Sequence, residues 1–173
     1  MWSSEVTNMI IAGIGETLYM TLVSTIAGYI IGLPMGIVLT VSDKDGIRPN
    51  SFIYKILDVI VNIVRSIPFI ILLVLLIPFT RFLVGKSYGS TATIVPLVVA
   101  AAPYIARMVE SSLKEVDAGV IEAARSMGAS DFDIVTKVLL VEARTSLLVG
   151  ATISLGTILG YSAMSGAVGG GGL

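Results

Sequence analysis

Ser154, Thr157 and Tyr161 are the residues here best suited to handling a small polar molecule, because they fall at i, i+3 and i+7. A helix containing them stacks three hydroxyls on one face. On an apolar helix such a stripe either hydrogen-bonds a neighbouring helix or lines a pathway, and the residues alone leave both readings open. Met164, three positions on, adds a flexible, polarizable thioether. A second group is Glu122, Ala123, Ala124 and Gly128, a carboxylate among small side chains closed by a glycine. Its chemistry is recognition: a compact helical face of this kind fits a groove on a partner, and a solvated loop helix is the plainer alternative. Gly28, Gly32 and Gly36 recur every fourth residue and would let another helix backbone approach closely. Arg65 stands beside a long apolar run, where it snorkels to the interface, makes a structural or gating contact, which is the reading favoured, or binds substrate directly.

Several chemistries are excluded by composition. The chain has no Cys and no His, which removes disulfides, thiolate or imidazole metal sites and nucleophile–His catalysis. It has no GxxxxGK[ST] phosphate loop, so any ATP hydrolysis must be supplied by another subunit. Net charge is −1, and nucleic acid is not an expected partner. Of the 173 residues, 55% are hydrophobic and 13% are charged, and mean hydropathy is +0.95. An ordinary soluble domain carries roughly 25% charged residues. The elements that hold these groups therefore lie in a membrane.

Four charge-poor runs define those elements. The first lies between Glu16 and Asp43 and is long enough for about 39 Å of helix. The second is IPFIILLVLLIPF between Arg65 and Arg81, extended backwards by IVNIV; the third is 87–106, and the fourth follows Arg144. The expectation is an all-α membrane protein with four transmembrane segments in one domain, 1–173. Pro68 and Pro78 are expected to interrupt the second segment, and Pro96 and Pro103 the third. Residues 1–16 contain no Lys or Arg, so the first segment does not read as a signal peptide. With the N-terminus outside, nine basic residues fall on the cytoplasmic side and two outside, which sets the orientation. The terminal GAVGGGGL cannot be a stable helix interior and is expected to run extended or turning near the outer face.

That topology puts residues from about 107 to 144 in the cytoplasm. Ala118 to Met127 reads as a helix opened at Asp117 and stopped by Gly128 in the left-handed region. Val120, Ala124 and Met127 form its apolar face. Ser130 with Asp133 reads as the capping box of a further helix. At about 15 Å the first of these helices is too short to cross a bilayer.

Glu122-Ala123-Ala124, three residues and Gly128 resemble the EAA loop of ABC importer permeases. That pattern continues to an Ile and a Leu-Pro, whose positions here are Val138, Leu140 and Val141. Val141 in place of the family proline puts the kink after the coupling region in question. RSIPFIILL from Arg65, AAPYIARMVE from Ala101, EAARSMGA from Glu122 and GYSAMSGAVGGGGL from Gly160 are similar to the methionine-uptake permeases; Arg65 and Pro68 also resemble the polar amino acid permeases. The resemblance implies a homodimeric permease of the bacterial inner membrane for D- or L-methionine, working by alternating access. It implies ATPase subunits that bind ATP and Mg, coupled through Glu122, Ala123, Ala124 and Gly128, and an external substrate-binding lipoprotein. It also implies a fifth membrane helix, absent here, since this sequence stops where that helix should begin. A permease for another polar amino acid is the near alternative, and a passive channel, which needs no docking element, is the alternative from another class. An intramembrane enzyme would need ionisable groups clustered in the membrane, and Arg65 is the one expected there.

Overall fold

Long runs without charge or turn residues can satisfy their backbone groups in lipid only as helices. The computed structural model describes residues 4–172. In chain order its elements are α1 (Ser4–Ser42), α2 (Ser51–Ser66), α3 (Phe69–Leu75), α4 (Ile77–Val84), α5 (Ser90–Lys114) and α6 (Ala118–Ser126). They continue with α7 (Asp131–Asp133), a π-helical segment Ile134–Leu139, α8 (Leu140–Glu142) and α9 (Arg144–Gly166). Helices α1, α5 and α9 are each long and apolar enough to cross a membrane.

The core is the α1–α5 seam with α9 laid against it. Gly28, Gly32 and Gly36 all face α5. A Cβ at Gly32 would stand 2.6 Å from the Ala102 carbonyl oxygen, and one at Gly36 2.6 Å from that of Ala106. Only hydrogen at these positions permits the approach. Because Gly28 meets Ala101 while Gly36 meets Val109, α1 and α5 run parallel. Ser146 bonds Ser112 at 3.0 Å and Thr157 reaches Tyr104, so α9 runs antiparallel to both.

Two parallel helices require the chain between them to return across the membrane, and α2, α3 and α4 make that return along a bent path. α2 meets α3 at 102°. The expected second segment is thus not one interrupted rod but three pieces, and its first helix starts at Ser51. The break is steric. Pro68 drives Ile67 into the extended region (φ −84°, ψ 123°), which ends α2. Pro78 sits in the first turn of α4, where a missing amide hydrogen costs little. Pro96 and Pro103 act differently from expectation. α5 continues through both, each buried among neighbouring helices, so they do not end the helix.

Both ends of this core are tied. The loop after α1 folds back on it, with Arg48 donating to the Val41 carbonyl (3.0 Å) and Asn50 to that of Ser42 (2.9 Å). Asn50 then caps α2 through its side-chain oxygen, which accepts from Phe52 and Ile53. At the opposite end the glycine tail turns back rather than leaving the bundle. Gly172 donates to Glu16 Oε2 (2.8 Å), Thr93 Oγ1 donates to the Gly170 carbonyl (3.1 Å), and Gly89 donates to Gly169 (3.1 Å).

Candidate functional site

The loop between α5 and α9 is built from local capping chemistry. Asp117 accepts from the Gly119 amide at 2.7 Å and opens α6. Gly128, at φ +85°, closes it: its amide donates to the Arg125 carbonyl (2.9 Å) and that of Ala129 to the Ala124 carbonyl (3.1 Å). This six-to-one and five-to-two pair is a Schellman ending. Ser130 accepts from the Asp133 amide at 3.2 Å and opens α7. The Asp133 carboxyl lies below its ordinary range because it pairs first with Lys137 and then with Ser130. No proline follows, yet the helix still breaks. The π-helical segment spans Ile134–Leu139, and Ala143, with ψ near 0°, separates α8 from α9.

The buried face of α6 differs from the one expected. Ala124 is buried and Ile121 packs beside it on the core, whereas Val120 and Met127 are exposed, Met127 at 81%. Burial of α6 against the π-helical segment selects the Ile121–Ala124 side, and the weakly apolar Val120–Met127 side is left free. Glu122 and Ala123 are also exposed. With Met127 and Phe132 they give the loop an outward surface that mixes one carboxylate with large apolar side chains.

Above this loop lies an ionic cluster that sequence reading did not pick out. Glu110 on α5 is 4% exposed. Its carboxylate accepts from Arg107 (2.6 Å), Lys114 (2.8 Å) and the Tyr54 hydroxyl (3.2 Å). Arg107 continues to Asp58 and to Asn62 (3.0 Å), and Lys114 to Asp43 (2.5 Å). A charge this buried is stable only when so fully paired. The signal was present as two stripes: Tyr54, Asp58 and Asn62 at four-residue steps, and Arg107, Glu110 and Lys114 at steps of three and four. The cluster joins the end of α1, the body of α2 and the last turns of α5. Asp43 is held below its usual carboxylate range, chiefly by its hydrogen bond from Lys114.

The residues nominated on α9 occupy different surroundings. Ser154 is fully buried and its hydroxyl donates to the Gly150 carbonyl at 2.8 Å. Thr157 donates to the Ile153 carbonyl (2.9 Å) and lies 3.4 Å from the Tyr104 hydroxyl. Tyr161 stacks on Phe69 with ring centroids 4.7 Å apart. Met164 is 47% exposed. Arg65 lies over the Tyr104 ring, 6.0 Å from its centroid. The structure therefore links Arg65, Tyr104 and Thr157 into one polar line across α2, α5 and α9, while Ser154 sits inside the helix packing. No group of three acidic residues converges as a metal site among the described residues.

Parallel α1 and α5, a bent return, and a capped helix projecting between α5 and α9 are the architecture of a multi-span permease. The chain belongs to the family of binding-protein-dependent transport system inner membrane components, whose pattern matches residues 28–173. It is thus a multi-pass inner-membrane protein. Among similar proteins, the D-methionine transport system permease protein MetI of Salmonella typhimurium is 56% identical over 158 residues, covering 91% of this chain and 73% of that one. A probable D-methionine permease MetI of Vibrio cholerae is 44% identical over 172 residues, 99% of this chain and 76% of that one. Among solved structures, a chain of the MetNI methionine ABC transporter in inward-facing conformations superposes with a TM-score of 0.96. It is 54% identical, over 99% of this chain and 79% of that one.

Proposed function

We propose that this chain is the permease subunit of an ATP-driven importer of methionine, D- or L-, working as a homodimer. A separate ATPase, which holds ATP and Mg, docks on the loop bearing Glu122, Ala123, Ala124 and Gly128, and an external binding lipoprotein delivers the substrate. The observation that carries the reading is the capped helix α6, with Glu122 and Ala123 exposed, on a chain more than half identical to methionine permeases. The excess of basic residues near this loop supports placing it in the cytoplasm and the N-terminus outside. Substrate passes along the α9 side, where Met164 is exposed, Thr157 and Tyr161 are half-buried and Ser154 is packed inside the bundle. Alternating access follows if ATP-driven closure of the ATPase pair displaces α6 and, through it, α5 and α9.

The complete transporter should be assembled in vesicles with its ATPase and binding protein. Labelled methionine should accumulate against a gradient only when ATP and binding protein are both present. Equilibration of methionine without ATP would identify a passive channel and overturn the proposal.

A further inference from the structure

Helix α6 touches the membrane helices only through its Ile121–Ala124 side among the described residues. Its backbone packs on the π-helical segment, and a cavity of about 420 Å³ lies between it and the loop that follows α1, lined by Gly46, Ile47, Ile121, Glu122 and Arg125 among others. Arg125 bridges that space. Its guanidinium donates to the Ile47 carbonyl oxygen at 2.5 Å, across 78 positions of sequence.

Both ends of this link are fixed. On the loop, the bonds from Arg48 to Val41 and from Asn50 to Ser42 fold the chain onto α1, and a Cβ at Gly46 would stand only 2.4 Å from the Thr40 carbonyl oxygen. The Ile47 side chain packs into the core. Ile47 therefore moves with the end of α1, and three residues later Asn50 caps α2. On α6, the Arg125 carbonyl accepts from Gly128 in the helix ending. A charged donor held between two rigid anchors resists their separation, since breaking it leaves the pair to be resolvated and reordered.

We propose that Arg125 is a positioning residue that ties the coupling helix to α1 and α2, so that displacement of α6 reaches the ionic cluster and the α2–α3 bend as well as α9. This rests on the reading of α6 as the ATPase-docking helix. α7 and the π-helical segment continue the chain to α9, and Ile121 and Ala124 share an apolar cluster with Ile47; Arg125 adds to that apolar contact a directional hydrogen bond to the α1–α2 side.

The test uses the complete transporter with its ATPase and binding protein in vesicles, comparing Arg125→Ala, Arg125→Lys and Glu122→Lys. Arg125→Ala should keep wild-type association with the ATPase while stimulation of hydrolysis by the loaded binding protein falls at least about fivefold, the lower end of measured couplings. Arg125→Lys keeps a charged donor on a long stem and should recover part of the stimulation. If Arg125→Ala weakened association as Glu122→Lys does, Arg125 would be an ATPase contact and the tie would be overturned. Wild-type stimulation in Arg125→Ala would overturn it equally. Wild-type association in Glu122→Lys would instead remove the docking reading itself, whatever Arg125 does.

Discussion

Glu122 and Gly128 act on α6 in separable ways, one through its exposed charge and the other through backbone shape. Glu122 is exposed and its side chain is not needed for the core contacts of Ile121 and Ala124. Glu122→Lys should therefore leave membrane insertion intact and weaken ATPase association about tenfold, as expected for a central interface residue. Gly128→Val should act through the turn, because a β-branched residue at φ +85° costs roughly 1–2 kcal/mol. Normal substrate-stimulated ATP hydrolysis in both variants would show that the loop does not couple. Asp43 gives a prediction of another kind. Its carboxylate is held below its ordinary value of 3.8, first by Lys114, so the pairing stabilises the fold fully above that pH and is lost as pH falls through the lower folded value. Asp43→Asn should cost about 1 kcal/mol at neutral pH, because solvent reaches Lys114 and screens the pair. The gap in thermal stability between variant and wild type should close below about pH 4. A gap that stays constant into acid would mean that the loss does not come from the Asp43 charge. The caps at Asp117, Gly128 and Ser130 were legible because their chemistry is settled within four residues. The partners of Glu110 were not, since they depend on how α2 and α5 align.

At the scale of elements, the same residue type gives opposite results according to what surrounds it. Pro68 ends a helix, whereas Pro96 and Pro103 lie inside an unbroken one. Sequence marks the sites of possible breaks, but neighbouring helices decide which are used. The Val141 position makes a related point: the chain lacks the family proline there and still breaks two residues later, at Ala143, after a π-helical stretch. The glycine repeat is more direct, because a four-residue period puts all three positions on one face whatever the partner. What the period did not reveal is that the partner is α5, running parallel. Gly32→Leu tests the seam. A side chain there must displace the Ala102 carbonyl and the Ile105 side chain, whose atoms would lie 2.6 and 2.8 Å from its Cβ. Overpacking of this sort typically costs 1–3 kcal/mol, and a backbone obstacle places it at the high end, about 3 kcal/mol. The variant should fail to assemble and lose uptake in proportion to assembly. A fully assembled, active variant would mean the two helices separate during the cycle without harm.

For the whole molecule, substrate choice is the prediction that depends on every level beneath it. The three spans α1, α5 and α9 bury small and apolar side chains together with scattered hydroxyls. Apart from Glu5 and Glu16 towards the start of α1, their charged groups lie at the loop end, where Arg107, Glu110 and Lys114 are paired with one another and with Asp43 and Asp58. Arg65 is engaged over Tyr104. Between Ser154 and Met164, α9 carries no carboxylate, ammonium or guanidinium, so a cationic or anionic side chain moving along that stretch would meet no countercharge on the helix itself, and desolvating it unpaired is costly. A thioether carries no such penalty and finds polarizable neighbours in Tyr161 and Met164. Methionine uptake by the complete transporter should accordingly resist competition from arginine and glutamate, while unlabelled methionine competes fully. Discrimination by the external binding protein would give the same pattern, so the panel is best repeated with Met164→Glu, an accessible site where a carboxylate adds the missing countercharge. If the α9 face takes part in selection, that variant should slow methionine uptake while leaving methionine binding to the external protein unchanged. Equal competition by arginine, glutamate and methionine in the unmodified transporter would reduce the assignment to an amino acid importer of broader range. An unaffected Met164→Glu would move the selective surface away from α9.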